Sequence, residues 1–248
     1  MGAGTDGKTH PRMMMTTTRL RLVRHGQTAW GGATYRDLTE TGEAQSRRLG
    51  EHFAREGYRP DAVLVGPLPR HERTAALLVD AAAAAGLALP APERVDGLDE
   101  IHATMAAKQA FVAWAEGDDD RGRLAAQVLA GTADKDAILR LFKEATARWM
   151  RGEIQVPDAE PLADFRRRIG DTLDGIAHRG GEVLAVTSGG VIAAAVGHAL
   201  GAADRIMEDL VFGTWSAGWA DLAHEDGRWQ LRAFNATPHL EGGLRTHW

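Results

Sequence analysis

Short apolar runs alternate along this chain with longer stretches in which apolar residues return every three or four positions. Arg19–Val23 puts Leu20 and Leu22 on one face, which predicts a strand ending at Arg24-His25-Gly26. Gly42–Glu56 carries Leu49 and Phe53 at helical spacing. Ala62–Val65 predicts a second strand, stopped by Gly66-Pro67. Arg70–Ala85 is rich in alanine and leucine, both strong helix formers. Pro90–Leu98 is punctuated by proline and predicts an extended segment. Ala103–Gly152 predicts helix throughout, with Phe111 and Trp114 three apart and Ile138, Phe142, Ala145 and Trp149 in one stripe. These aromatics read as core, with shaping an outer pocket as the competing role. Leu162–Ala177 is a further helix with Phe165, Ile169, Leu173 and Ile176 inward. Glu182–Thr187 predicts a third strand, and Ser188-Gly189-Gly190 turns it into the helix Val191–Leu200. Thr214–Leu222 and Arg228–Phe234 flank Glu225-Asp226-Gly227 and predict a terminal hairpin.

Strands alternating with helices predict an α/β three-layer sandwich. Its central sheet is mostly parallel, with helices on both faces, a helical insertion at about 101–155 and a C-terminal hairpin. No internal repeat or linker divides the chain. Residues 19–248 are therefore expected to form a single domain behind a flexible tail of residues 1–18, in which Met13, Met14 and Met15 offer later starts.

Composition narrows the function classes. The 248 residues are 44% hydrophobic, enough for a substantial core. The net charge of −5 gives no electrostatic footprint for nucleic acid. With no cysteine there are no thiolate nucleophiles, disulfides or Cys-based zinc sites. No apolar run reaches membrane-spanning length, and the first residues lack the pattern of a secretory leader. A cytoplasmic location is the expectation.

In sheets of this kind ligands sit beyond the carboxyl ends of the strands. Residues 24–26, 66–70 and 187–190 all fall at such ends. Together they offer Arg24, His25, Gly26, Arg70, Thr187, Ser188 and two glycines. Two guanidiniums supply fork-shaped donors suited to phosphate oxygens. Helix N-termini add backbone donors, and an imidazole between the arginines can attack phosphorus.

The run LVRHGQTAW resembles the signature of the histidine phosphatase (phosphoglycerate-mutase-like) superfamily. Five more segments resemble that family in its order: Leu38–Gln45 (LTETGEAQ), Gly66–Ala75 (GPLPRHERTA, against Ser-Pro-Leu-x-Arg-Ala-x-x-Thr-Ala), Leu98–Glu100 (LDE), Glu160–Ile169 (EPLADFRRRI) and Phe234–Leu240 (FNATPHL). The resemblance covers about residues 19–240. It implies a metal-independent enzyme without a cofactor. His25 would be the nucleophile that becomes phosphohistidine, Arg24 and Arg70 the clamps, and Glu100 the acid, with Asp99 and Asp96 as competitors. Gly26, Gln27, Thr28, Ser188 and Gly189 would line the pocket. The implied substrate is a small phosphorylated metabolite or a phosphorylated protein side chain.

The sequence also departs from the family. Ser188 stands where a second pocket histidine is usual, and Gly31 where an asparagine commonly follows the tryptophan. The loop from His25 to Leu38 is shorter than in phosphoglycerate mutases, and their tyrosine- and proline-rich insertion is missing. These differences favour a phosphatase over a mutase. Ser188 keeps a second reading open, a weak or inactive phosphate-binding protein. His71 and His102 are the candidates to replace the histidine. His71 directly follows Arg70, and neighbouring helical positions face different ways, so both read as partly exposed residues. His178, His198, His224 and His239 read as surface or hairpin residues.

Overall fold

The computed structural model describes residues 17–29 and 37–247. Residues 1–16 of the expected 1–18 tail, Trp30 and Gly31 lie outside the described residues, while Thr18 is buried as the first residue of β1. The described elements are β1 (Thr18–Arg24), α1 (Glu40–Glu56), β2 (Ala62–Val65), α2 (Pro69–Ala84), β3 (Pro92–Arg94), α3 (Ala103–Trp114), α4 (Asp120–Leu129) and α5 (Lys135–Met150). They continue with α6 (Leu162–Ala177), β4 (Gly181–Thr187), α7 (Gly189–Leu200), α8 (Asp204–Gly213), β5 (Trp219–Glu225) and β6 (Arg228–Ala236).

The six strands form one mixed sheet in the order β3-β2-β4-β1-β5-β6. β3, β2, β4 and β1 run parallel, and β5 and β6 complete the sheet antiparallel. The central strands are nearly continuous in apolar residues because both faces are covered. Alternate residues go to opposite layers. Leu20, Leu22, Leu64, Val183 and Ala185 face a core shared with α3, α5, α6 and α7. Val23, Val63, Val65, Leu184 and Val186 face a second core with Leu49 and Phe53 of α1 and Leu78 of α2. The result is an α/β three-layer sandwich with helices on both faces.

The segment read as one helical stretch divides into α3, α4 and α5. Asp119 and Asp134 cap the last two by accepting from Gly122 N–H and Ala137 N–H. Phe111, Phe142 and Trp149 are buried in the first core. Ile138 is only half-buried, and Ala137 and Leu141 take the inward face at that turn. The hairpin turns through Asp226 and Gly227, both left-handed at φ 52° and 76°. That is the backbone pair a two-residue turn requires. α8 was not expected from the sequence, although Met207, Leu210 and Val211 fall at helical spacing.

The loop after β1 packs tightly on the start of α1. A Cβ on Gly26 would lie 2.3 Å from the Gly42 carbonyl oxygen, and one on Gly42 would lie 2.1 Å from that of Gln27. Backbone meets backbone here, so neither glycine has room for a side chain. Gly42→Ala is expected to lower the unfolding free energy by about 1–3 kcal/mol in urea denaturation. A change under about 0.5 kcal/mol would contradict this packing.

Candidate active site

Strand register brings the chemistry together. Arg24 pairs with Thr187 and Val65 with Val186, so β1, β4 and β2 finish level. Beyond the strands, His25 N–H still donates to Thr187 O at 2.8 Å and Gly66 N–H to Val186 O at 3.0 Å. The residues that follow are His25, Ser188 and the start of α2.

His25 is almost fully buried, 3% exposed. Its Nδ1 lies 2.7 Å from the Gly26 carbonyl oxygen, and its Nε2 lies 3.2 Å from Arg70 Nε. A carbonyl only accepts and a guanidinium only donates. Nδ1 therefore carries the proton, and Nε2 presents its lone pair toward Arg70. Burial, then the charges of Arg70 and Arg24, then His71, hold the imidazole well below its usual pKa against the pull of the Gly26 carbonyl. The ring is neutral at neutral pH.

Arg24 and Arg70 are both buried, 6% exposed. Arg24 Nη1 donates to the Thr214 carbonyl just past the end of α8. Arg70 stands in the first turn of α2, after Pro69. Thr74, one turn on, accepts from Gly26 N–H at 3.1 Å and donates to Arg70 O at 2.8 Å, tying α2 to the loop that holds His25.

Glu100 is half-buried, with its carboxylate packed over the start of α7. A Cβ on Gly190 would lie 2.2 Å from Glu100 Oε1. Oε1 accepts from Ile101 N–H at 2.8 Å. Burial raises the Glu100 pKa above the ordinary carboxylate value, although Arg70, the Ile101 N–H and Arg24 pull the other way. Neither competing carboxylate has this setting. Asp99 accepts from Glu100 N–H at 2.8 Å, and Asp96 pairs with Arg94 at 2.9 Å on the surface. The loop is fixed by Arg168, which donates to Gly97 O and Asp99 O, and by Thr187 Oγ1, which donates to Leu98 O.

Gln27 is half-buried and Thr28 buried in the loop after β1. Gln27 N–H donates to Gln45 Oε1 at 2.8 Å, its Oε1 accepts from Thr39 Oγ1, and Thr28 bridges Leu38. Gly189 packs beside Arg24, its Cβ position 3.7 Å from Nε. Ser188 is fully buried.

Two histidines differ from expectation. His71 is fully buried, not partly exposed, with Nε2 2.6 Å from Ser188 Oγ and its ring centroid 5.7 Å from that of His25. Its side chain turns inward over the first turn of α2, where the glycine at 66 leaves space. His239 is buried too, stacked on Trp219 with centroids 5.5 Å apart. His102 is half-buried and accepts from Glu160 N–H at 3.1 Å.

Sequence reading missed Thr74, Gln45, Thr214 and the closing segment. Gln45 Nε2 donates to Leu244 O and Thr246 Oγ1, linking the His25 loop to the end of the described chain. A concavity of about 730 Å³ lies at the opposite end of the strands, lined by Arg19, Arg21, Tyr58 and Asp221. It holds none of these groups.

An unprotonated ring nitrogen, two guanidiniums and a carboxyl group with a raised pKa thus share one end of the sheet. That set can hold a tetrahedral dianion, attack it and supply a proton. The sequence pattern of the histidine phosphatase superfamily (branch 1) matches residues 20–125 and 128–237. The chain belongs to that superfamily. As a histidine phosphatase superfamily member it is 42% identical over 76 residues to a 2,3-bisphosphoglycerate-dependent phosphoglycerate mutase of Corynebacterium efficiens. That match covers 28% of this chain and 30% of the mutase. The fold is similar to that of phosphoserine phosphatase in complex with 3-phosphoglyceric acid from Entamoeba histolytica, with a TM-score of 0.61 and 20% identity over 90% of this chain and all of the other. It is also similar to a putative alpha-ribazole-5'-P phosphatase from Escherichia coli, at 0.60 and 20% over 89% and 97%. Among the described residues no helix is long and apolar enough to cross a membrane.

The buried histidines make stability depend on pH. Burial and the Arg70 charge push the His71 pKa down to about 3, while in the unfolded chain it titrates near 6.5. A neutral buried imidazole stabilises fully above about pH 6.5, and that contribution is lost as pH falls toward the folded value. Below about pH 6.5 each such group removes about 1.4 kcal/mol per pH unit. Urea unfolding at a series of pH values is expected to show this slope, shallower by about that amount in His71→Gln. Equal slopes in the two proteins would contradict it.

Proposed function

We propose that this histidine phosphatase superfamily member is a metal-independent phosphatase that hydrolyses a phosphate monoester through a phosphohistidine on His25. One observation carries the reading: His25 Nε2 is kept unprotonated, because Nδ1–H donates to the Gly26 carbonyl and Arg70 donates to Nε2.

In the first step Nε2 attacks phosphorus and the bond to the leaving oxygen breaks. The protonated Glu100 gives its proton to that oxygen. Arg24 and Arg70 hold the equatorial oxygens and balance their charge, and the Gly26 carbonyl steadies the cationic phosphoimidazole through Nδ1–H. In the second step the Glu100 carboxylate takes a proton from water, the oxygen attacks phosphorus, and the P–N bond breaks. Inorganic phosphate leaves, His25 is again neutral and Glu100 again protonated. Gly26, Gln27, Thr28, Ser188 and Gly189 line the site. The substrate is a small phosphorylated metabolite or a phosphorylated protein side chain. Residues 19–248 act as one domain, with the helices from about 101 to 155 as an insertion. The chain has Ser188 at the place of the second pocket histidine usual in relatives.

The test is turnover of an aryl and an alkyl phosphate, with and without chelator. Activity is expected to survive chelator and to vanish in His25→Ala, and acid quenching is expected to trap label on His25. Transfer of label to a second hydroxyl instead of water would identify a mutase. Tight phosphate binding with no turnover of either ester would identify a binding protein. Glu100→Gln is expected to cost roughly 100-fold or more on the alkyl ester. The loss should be much smaller on the aryl ester, whose leaving group needs no proton. The variant should also lack the fall in kcat at high pH, since that limb is loss of the Glu100 proton. Equal losses on both esters would contradict the acid role.

A further inference from the structure

His71 takes no part in the steps above, yet it is a fully buried imidazole beside them. Gly66 makes its position possible, since a Cβ there would lie 2.4 Å from His71 Nδ1. The ring then reaches Ser188, with Nε2 2.6 Å from Oγ. Ser188 is the N-cap residue of α7, but its hydroxyl makes no capping hydrogen bond. Strand register sets it level with His25, and Gly189 next to it packs on Arg24. The hydroxyl thus meets the buried ring at the strand ends that carry Arg24 and His25.

A serine hydroxyl has one proton and two lone pairs. If its proton points at His71, only lone pairs face an incoming dianion, and they repel it. If Nε2–H of His71 donates to the hydroxyl, the serine proton is available to the anion. Resting on the phosphoryl-site reading, we propose that His71 and Ser188 form one donor unit: Ser188 contacts a phosphoryl oxygen, and His71 is the positioning residue that orients and polarises its hydroxyl. Three positions then act together: Gly66 makes room, His71 supplies the ring and Ser188 carries its effect to the anion.

Two measurements test this. In the complex of the full chain with vanadate, nitrogen-15 NMR of labelled histidine, assigned with His71→Gln, is expected to show a proton on His71 Nε2. A bare Nε2 in that complex overturns the proposal. In kinetics on an aryl phosphate, His71→Leu and Ser188→Ala are each expected to lower kcat about 10-fold or more, with a smaller effect on KM. The double variant should be no worse than the poorer single one, because both remove the same unit. His71→Gln, which keeps an amide donor, should recover part of the loss. Losses that multiply, or wild-type kcat in His71→Leu, overturn the proposal. No wild-type turnover with vanadate still bound would end the phosphatase reading, and the spectrum would still decide the His71 claim. His25-dependent turnover with a bare Nε2 would end the His71 claim alone.

Discussion

The hydrogen bond from His25 Nδ1–H to the Gly26 carbonyl is the interaction on which the site depends. It spans adjacent residues, yet most of the fold holds it in place. Gly26 must touch the backbone of α1, its N–H must meet Thr74 of α2, and His25 N–H must continue the ladder to β4. Helices from one layer and two central strands thus fix the orientation of one ring. A neutral imidazole with the other tautomer would turn an N–H toward Arg70, and two donors would face each other.

Burial then acts on two groups in opposite chemical senses. It favours the neutral form of each, lowering the pKa of His25 and raising that of Glu100, which is the pair of shifts the proposed base and acid roles require. The cations beside them strengthen the first effect and oppose the second. Arg24 is itself buried, and its charge is met by a carbonyl at the end of α8. Asn235 fixes that corner by donating to Gly213 O and accepting from Trp215 N–H. The terminal strand therefore shapes the electrostatics of a site formed by the first.

Much of this was legible in the chain. Strands β1, β2 and β4 are short apolar runs stopped by polar or glycine residues, and their ends carry the candidate site. The boundaries of β2 and α6 followed from pattern alone. His71 was not legible. Helical spacing says which residues share a face, but not that a glycine five residues earlier opens a space into which a ring can turn. His239 was misplaced for a related reason, since it lies in the turn after β6 and its stacking partner Trp219 lies on β5. Arg24's carbonyl partner and the links through Gln45 join segments about two hundred residues apart, a separation at which local patterns carry no information. α8 was missed although half of its residues are apolar; it buries Met207 and leaves Ile206 exposed.

The central claim concerns one nitrogen atom. Nitrogen-15 NMR of labelled histidine at neutral pH, with His25 assigned by comparison with His25→Gln, reads it directly in the free protein. A protonated Nδ1 and a bare Nε2 on His25 are expected. A proton on Nε2, alone or together with one on Nδ1, would contradict the account.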